Sequence, residues 1–227
     1  MRIAIVIPTL NEGASINDTL SALQAWRQRG HQIILVDGGS NDSTTTNAEH
    51  LVDLILHSPK GRALQMNMGA ENSDADVLLF LHADTRLKEG SDQLIIESIS
   101  KDKLWGRFNV SFTSDRIIFK VIAYFMNLRS CITSIATGDQ AIFVEKQLFD
   151  EVGRFPTQPL MEDIQLSITL RGRGRADCLK ETATTSSRRW EQQGVYKTIL
   201  QMWLLRLAYF CGVPAERLKY WYKENAG

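Results

Sequence analysis

Five consecutive apolar residues, Val77-Leu78-Leu79-Phe80-Leu81, run without a break into His82-Ala83-Asp84-Thr85. So short a run, β-branched at its start and bounded by polar residues, fits a strand buried on both faces, as in a parallel sheet covered by helices. In open parallel sheets, ligands lie beyond the carboxyl ends of the strands. His82 and Asp84 fall at that end and, two residues apart in extended chain, point the same way. On the run alone, a strand that finishes in a polar turn reads the same.

The neighbouring segments decide between these. Residues 3–7 form a second apolar run, and Pro8, which cannot donate to a ladder, is expected to close it. Ser15 suits the N-cap of a helix over about 16–29, whose Ile16, Leu20, Leu23 and Trp26 fall at helical spacing, with Gly30 as its terminal glycine. Strands are expected over 31–36 and 52–56, with a short helix after the first and another over 63–71. The first 85 residues thus alternate strand and helix, which predicts parallel pairing, right-handed crossovers and helices on both faces. Beyond Asp84 the pattern loosens. Helices are expected over 92–101, 117–128 and from Glu162 to about Arg171, and strands over 104–112 (broken at Gly106), 141–144 and 176–181. An apolar tail covers 195–213.

Composition narrows the class. The 227 residues are 44% hydrophobic and 23% charged, ordinary for one domain with a sizeable core, and the formal net charge of zero offers nothing to nucleic acid. Cys131, Cys178 and Cys211 are widely spaced and odd in number. They form neither a zinc pattern nor a disulfide framework, which fits a reducing compartment. No signal peptide follows Met1, and no stretch approaches the roughly 20 apolar residues of a membrane span, so a cytoplasmic protein is expected.

Four loops converge on the carboxyl edge of the predicted sheet: 8–12, 37–42, Gly61-Arg62 and 82–84. The set suits a nucleotide. Glu12 and Asp37 can accept hydrogen bonds from a base or ribose, while Gly38 and Gly39 let backbone approach closely. Arg62 can pair with phosphate, and Asp84 can hold a divalent cation against a diphosphate. There is no G-x-x-x-x-G-K-[ST] loop and no G-x-G-x-x-G after the first strand, which removes kinase, ATPase and dehydrogenase readings.

Val6-Ile7-Pro8-Thr9-Leu10-Asn11-Glu12, Val36-Asp37-Gly38-Gly39-Ser40, Leu81-His82-Ala83-Asp84 and Met161-Glu162-Asp163 together resemble the signature of family-2 glycosyltransferases. Arg62 to Ala70, Phe155 to Asp163, and the C-terminal R-R-W-E and M-W-x-L-R-L segments resemble a small soluble bacterial subgroup of that family. The resemblance implies a GT-A fold: a mostly parallel central sheet flanked by helices, as a 1–190 domain with a nucleotide half (1–85) and an acceptor half (86–190), then a helical extension over 191–227. It implies an inverting transfer of sugar from a UDP- or GDP-sugar to an acceptor hydroxyl. Pro8, Thr9, Glu12, Asp37, Gly39, Arg62 and Ala83 would line the donor pocket. Asp84, with His82 as neighbour or co-ligand, would hold Mn²⁺ or Mg²⁺. Glu162 and Asp163 would be the catalytic acidic pair, with Asp163 as base. Gly138, Asp139, Gln140, Arg189 and Trp190 would face the acceptor, although turn capping explains Asp139 equally well.

The sequence departs from the family pattern at three places. His82 stands at the first position of the D-x-D-like motif, Gly38 replaces the second Asp of V-D-D-G-S, and Ser186 replaces the glutamine of Q-x-x-R-W, which argues against processive synthesis. Two alternatives stay open: a nucleotidyltransferase-like enzyme on a related sheet, and a catalytically silent sugar-nucleotide binder. The acceptor is unidentified, with a lipid-linked one among the expectations. Trp203 and Trp221, beside Arg217, Lys219 and Lys223, suit peripheral contact at the inner face of a membrane, and core packing or a homodimer face is the competing use of that tail.

Overall fold

The computed structural model describes residues 1–224, with side chains through Tyr222. Its strands are β1 (Ile3–Thr9), β2 (Gln32–Asp37), β3 (Leu54–His57), β4 (Val77–Phe80), β5 (Thr85–Leu87), β6 (Trp105–Phe112), β7 (Ile142–Glu145) and β8 (Asp177–Thr185). The helices are α1 (Ile16–Ala22), α2 (Gln24–Gln28), α3 (Thr44–Ala48), α4 (Arg62–Glu71), α5 (Ser91–Ser100), α6 (Ile117–Thr133), α7 (Lys146–Glu151), α8 (Glu162–Arg171), α9 (Arg188–Gln193), α10 (Val195–Phe210) and α11 (Ala215–Glu224).

One sheet runs in the order β3-β2-β1-β4-β7-β6-β8-β5. The first four strands in that order are parallel, β7 joins β4 antiparallel, and β8 lies parallel to β6. The unbroken apolar runs follow from this layering. Ile3, Ile5, Ile7, Val77 and Leu79 point into one core with Ile16, Leu20 and Trp26 of α1 and α2. Ala4, Val6, Leu78 and Phe80 point into the other with Ala63, Met66 and Ala70 of α4. A side chain at Gly69 of α4 would collide with Val6 Cγ1, so glycine there sets how closely helix and sheet approach.

Several expectations are corrected. Pro8 does not end β1, which continues through Thr9, with Pro8 paired to Val36. The even residues of β1 face β4, as Val6 C=O accepting from Leu81 N–H shows, and the pairing with β4 ends at Val6–Phe80. Proline's missing donor therefore faces no partner strand. The helix over 16–29 is two segments, tightening at Leu23, where Gln24 Nε2 donates to the Leu20 and Leu51 carbonyls at 2.8 and 2.9 Å. Gly106 does not break β6; a Cβ there would meet the Phe143 ring, and the irregularity falls between Phe108 and Asn109.

The cysteines also differ from expectation: Cys131 of α6 and Cys178 of β8 form a disulfide, leaving Cys211 free. Arg175 Nη2, donating to the Cys131 and Ile132 carbonyls at 3.1 and 3.0 Å, holds the start of β8 against the end of α6. That proximity spans 47 residues and leaves no trace in local spacing. No described helix is long and apolar enough to cross a membrane.

Candidate active site

The loops after β1 and β2 are laced into one rim. Asn11 N–H donates to Ser40 Oγ at 2.9 Å, Glu12 N–H to Thr44 Oγ1 at 2.8 Å and Gly13 N–H to Asp42 Oδ2 at 2.9 Å. The Glu12 side chain is left to face the site. Burial raises its pKa above the ordinary carboxylate value, and the nearby Asp84 charge adds to the rise against the Ser15 hydrogen bond. Behind this rim, Gln65 of α4 donates from Nε2 to both the Thr9 and Val36 carbonyls at 2.8 Å.

Asp84 is fixed by what surrounds it. After β4 the chain turns tightly, Thr85 N–H donating to His82 C=O at 3.0 Å, and enters β5, which pairs with β8. Thr19 Oγ1 of α1 donates to Ala83 C=O at 2.6 Å. The turn is thereby anchored from both sides, with the Asp84 carboxylate at its tip. His82 is engaged differently. Its Nδ1 lies 3.2 Å from Asp139 Oδ1, and its Nε2 edge packs against Gly138, where a Cβ would collide with the ring. Burial works to raise the Asp139 pKa, but the His82 hydrogen bond and charge, with Arg62 and Arg189, outweigh it and hold the carboxyl below its ordinary value.

The acidic pair opens α8, where the helix dipole favours anions. Met161 adopts φ 65° just before it, turning the chain so that Glu162 and Asp163 fall in the first turn. Asp163 Oδ2 accepts from Gly138 N–H at 2.8 Å and Oδ1 from Ile164 N–H at 2.7 Å. Glu162 is buried, and desolvation together with the Asp163 charge raises its pKa, opposed by Arg62.

A cleft of about 600 Å³ collects most of these groups: Pro8, Thr9, Glu12, Arg62, His82, Ala83, Asp84, Asp139, Arg189 and Trp190 all line it. Gly138, Glu162 and Asp163 line a smaller recess, and Arg62 and His82 belong to the walls of both. Asp84 and Asp163 thus stand in adjoining hollows with a shared partition.

Three candidates lie outside these linings. Asp37 is buried and turned onto its own loop, accepting from Gly39 N–H and Ser40 N–H at 3.0 Å and from Ser40 Oγ at 2.5 Å. Burial works to raise its pKa, and those hydrogen bonds overcome it, leaving the carboxyl below its usual value. Gly39 shapes that turn with φ 92°. Gln140 is fully buried; its Nε2 donates to Ser130 Oγ at 2.8 Å and its Oε1 accepts from Thr137 N–H at 3.2 Å. Arg189 and Trp190 reach the cleft while held by aromatic rings, the guanidinium over the Tyr222 ring at 4.6 Å and the indole edge-on to the Phe112 ring at 5.6 Å.

Sequence reasoning missed other contributors. Lys60, Gln158, Thr185, Met202, Lys219 and Tyr222 also line the cleft, drawn from five separated segments; Gln158 and Met202 fall within the Phe155–Asp163 and M-W-x-L-R-L segments, but spacing assigns neither to the site. Arg129 and Arg206 bring positive charge near Asp163. Desolvation pulls the Arg129 pKa down to about 10, and its Nε and Nη2 are buried with no hydrogen-bond partner among the described residues. Arg129 leaves no signal in the sequence beyond a lone arginine in an apolar helical pattern, whereas Arg206 is the arginine of the M-W-x-L-R-L segment.

Residues 4–153 match the model of Glycosyl transferase family 2. The chain is 25% identical over 190 residues to the poly-beta-1,6-N-acetyl-D-glucosamine synthase of Staphylococcus aureus, covering 76% of this chain and 46% of the synthase. It is 29% identical over 173 residues to a PGL/p-HBAD biosynthesis glycosyltransferase of Mycobacterium bovis, covering 67% of this chain and 62% of that protein. Among solved structures, a mannosyltransferase from Pyrobaculum calidifontis in complex with GDP-Man and Mn2+ superposes with a TM-score of 0.70 at 14% identity, over 93% of this chain and 65% of that one. Glucosyl-3-phosphoglycerate synthase from Mycobacterium tuberculosis in complex with Mn2+ and UDP-glucose gives 0.66 at 14% identity, over 93% and 79%. At such identities these structures establish the GT-A fold.

Proposed function

The chain belongs to glycosyl transferase family 2, and within it we propose a metal-dependent inverting enzyme that moves sugar from a UDP- or GDP-sugar to an acceptor hydroxyl, with Asp163 as general base. The observation that carries this is the placement of Asp84 and Asp163 in adjoining hollows walled by Arg62 and His82. A donor diphosphate in the larger hollow would meet Asp84 and Arg62. The recess, at about 10 Å³, has room for no more than a water, so an acceptor hydroxyl would come from the cleft and meet Asp163 across the Arg62–His82 partition, on the other side of the anomeric carbon.

The donor set at Asp84 fits a hard divalent cation. Among the described residues no three His, Cys, Asp or Glu side chains gather as a complete cage. Mg²⁺ in such sites takes one or two carboxylates and completes its shell with phosphate oxygens and water, and Mn²⁺ accepts similar oxygen ligands. Asp84 would hold the ion, and the two fold neighbours, solved with Mn2+ and a nucleotide sugar, support that choice. When bound, the cation supplies charge neutralisation to the departing diphosphate. His82, already engaged by Asp139, would position rather than ligate.

The chain's own residues carry the remaining work. The acceptor oxygen attacks the anomeric carbon, the bond from that carbon to the diphosphate oxygen breaks, and the hydroxyl proton passes to Asp163. Two backbone N–H groups hold that carboxylate in one orientation, which favours a near-attack geometry. Arg62, first residue of α4, adds its charge and the helix N-terminus to stabilise the leaving diphosphate. A lipid-linked acceptor is part of this reading; the Cys131–Cys178 disulfide removes the support that the cysteine pattern gave to a reducing compartment.

The test is turnover. UDP- and GDP-sugars are incubated with the chain, Mn²⁺ and candidate acceptors, following nucleoside diphosphate release and the anomeric configuration of the product by NMR. Release that needs metal, with an inverted product, supports the proposal; a retained configuration would sink it.

A further inference from the structure

Two helices present apolar faces to solvent that the site does not use. On α6 the exposed side carries Ile117, Val121, Tyr124, Phe125 and Leu128, and on α10 it carries Tyr196, Leu200, Trp203, Leu204 and Leu207. Phe125 is 60% and Trp203 72% accessible. An amphipathic surface helix in a self-sufficient domain keeps its outer face polar; here each outer face is the apolar one.

These faces belong together. Ile118 and Ile122 of α6 pack in one cluster with Val195 and Ile199 of α10, and further along the same helices Arg129 lies within electrostatic reach of Arg206. The two helices therefore meet through the side chains of their N-terminal halves and point in the same general direction, each about 25 Å long. Their charge is one-sided. Neither helix contains an Asp or Glu, while Lys120 and Lys197 are exposed on them, in a chain whose total charge is zero. Apolar and aromatic side chains interspersed with exposed lysines form the pattern that enters the headgroup boundary of an anionic membrane. A second copy of the chain would set these lysines against their own kind, which opposes an isologous dimer on this face.

We infer that α6 and α10 form a single docking surface for an anionic lipid bilayer. The tail was expected to supply such contact by itself; the structure makes α6, from mid-chain, the other half of the surface. The opposite side of α10 supplies Thr198 and Met202 to the cleft, so docking holds the cleft one helix thickness, about 10 Å, from the headgroup layer. Delivery of an acceptor from that layer rests on the transferase reading; the docking itself does not.

The experiment is co-sedimentation of the full chain with vesicles of phosphatidylcholine alone or mixed with phosphatidylglycerol, at low and high salt. Variants are Trp203→Gln with Leu204→Gln, Tyr124→Gln with Phe125→Gln, and Lys120→Glu with Lys197→Glu. Binding is expected only with phosphatidylglycerol, weakened by salt, and reduced about tenfold or more by each double substitution. Unchanged melting temperatures and unchanged stabilisation by UDP with Mn²⁺ show that the variants fold. A chain that stays in the supernatant with anionic vesicles overturns the proposal, as does binding indifferent to the α6 variant. A dimer lost with Trp203→Gln, without vesicle binding, assigns the face to a second copy instead. Vesicle binding with no nucleotide response would count against the transferase reading and leave the docking surface standing.

Discussion

Gly138 donates its backbone N–H to Asp163 Oδ2 at 2.8 Å, joining the turn beyond α6 to the first turn of α8. The next residue, Asp139, holds His82. One short turn therefore positions both the proposed base and the imidazole beside the loop that carries Asp84. Asp163→Asn keeps one acceptor oxygen, which can serve Gly138 N–H at the loss of the bond from Ile164 N–H, and removes the proton acceptor. It should fold normally, bind nucleotide as the parent does, and lose about 10²–10⁴-fold in kcat. Steady-state kinetics beside nucleotide titration checks this.

Gln65 spans two strand ends through a single amide, its Nε2 bonding the Thr9 and Val36 carbonyls. Gln65→Leu removes that donor from both carbonyls, which keep Gly38 N–H at Thr9 C=O and Thr9 Oγ1 at Val36 C=O, at a cost of about 0.5–1.5 kcal/mol. Because Thr9 borders the cleft, KM for the donor should rise more than kcat falls. Denaturant unfolding and donor saturation curves read the two effects separately.

Gly69 packs against Val6 with no room for a side chain. Gly69→Ala forces α4 away from the sheet, and overpacking of this kind costs about 1–3 kcal/mol, despite alanine's better helix propensity. A melting temperature lowered by several degrees is expected. Arg62 at the head of the same helix should move with it, weakening nucleotide binding.

His31 is buried, accepts from Ile3 N–H through Nδ1 at 3.2 Å, and lies 3.2 Å from Asp92 through Nε2. Burial pushes its pKa below the ordinary 6.5, against the opposing pull of Asp92. A proton on Nδ1 would also confront the Ile3 donor. The folded state therefore binds this proton less readily than the unfolded chain, so stability is whole above about 6.5 and declines as pH falls through and below that value. Unfolding free energy measured from pH 7.5 to 5.5 should fall more steeply in the parent than in His31→Gln.

Much of the first 85 residues is legible in the sequence because it is local. The runs 3–7 and 77–81 are apolar on every residue, and the sheet buries both their faces. Asp84, Arg62 and Glu12 follow such runs directly and do reach one cleft. Pro8 misleads because whether a missing donor matters depends on where β4 ends, a fact of the neighbouring strand. Asp37 reads as a ligand contact by position, yet its carboxylate finds nearer partners in Gly39 and Ser40. Gln140 likewise sits in a polar triplet but is consumed by the core hydrogen bonds of Ser130 and Thr137. The Cys131–Cys178 bond, the burial of Arg129 Nε and Nη2, and the α6 face all arise from long-range packing, which spacing does not encode.

The most direct measurement is the melting temperature of the parent, Asp84→Ala and Asp163→Asn with UDP or GDP, with and without Mn²⁺. A ligand at about 100 times its Kd stabilises by about 2.7 kcal/mol, a shift of several degrees. The parent and Asp163→Asn should show that shift only when Mn²⁺ is present, and Asp84→Ala should show none. Stabilisation that ignores the metal and survives in Asp84→Ala would contradict the site.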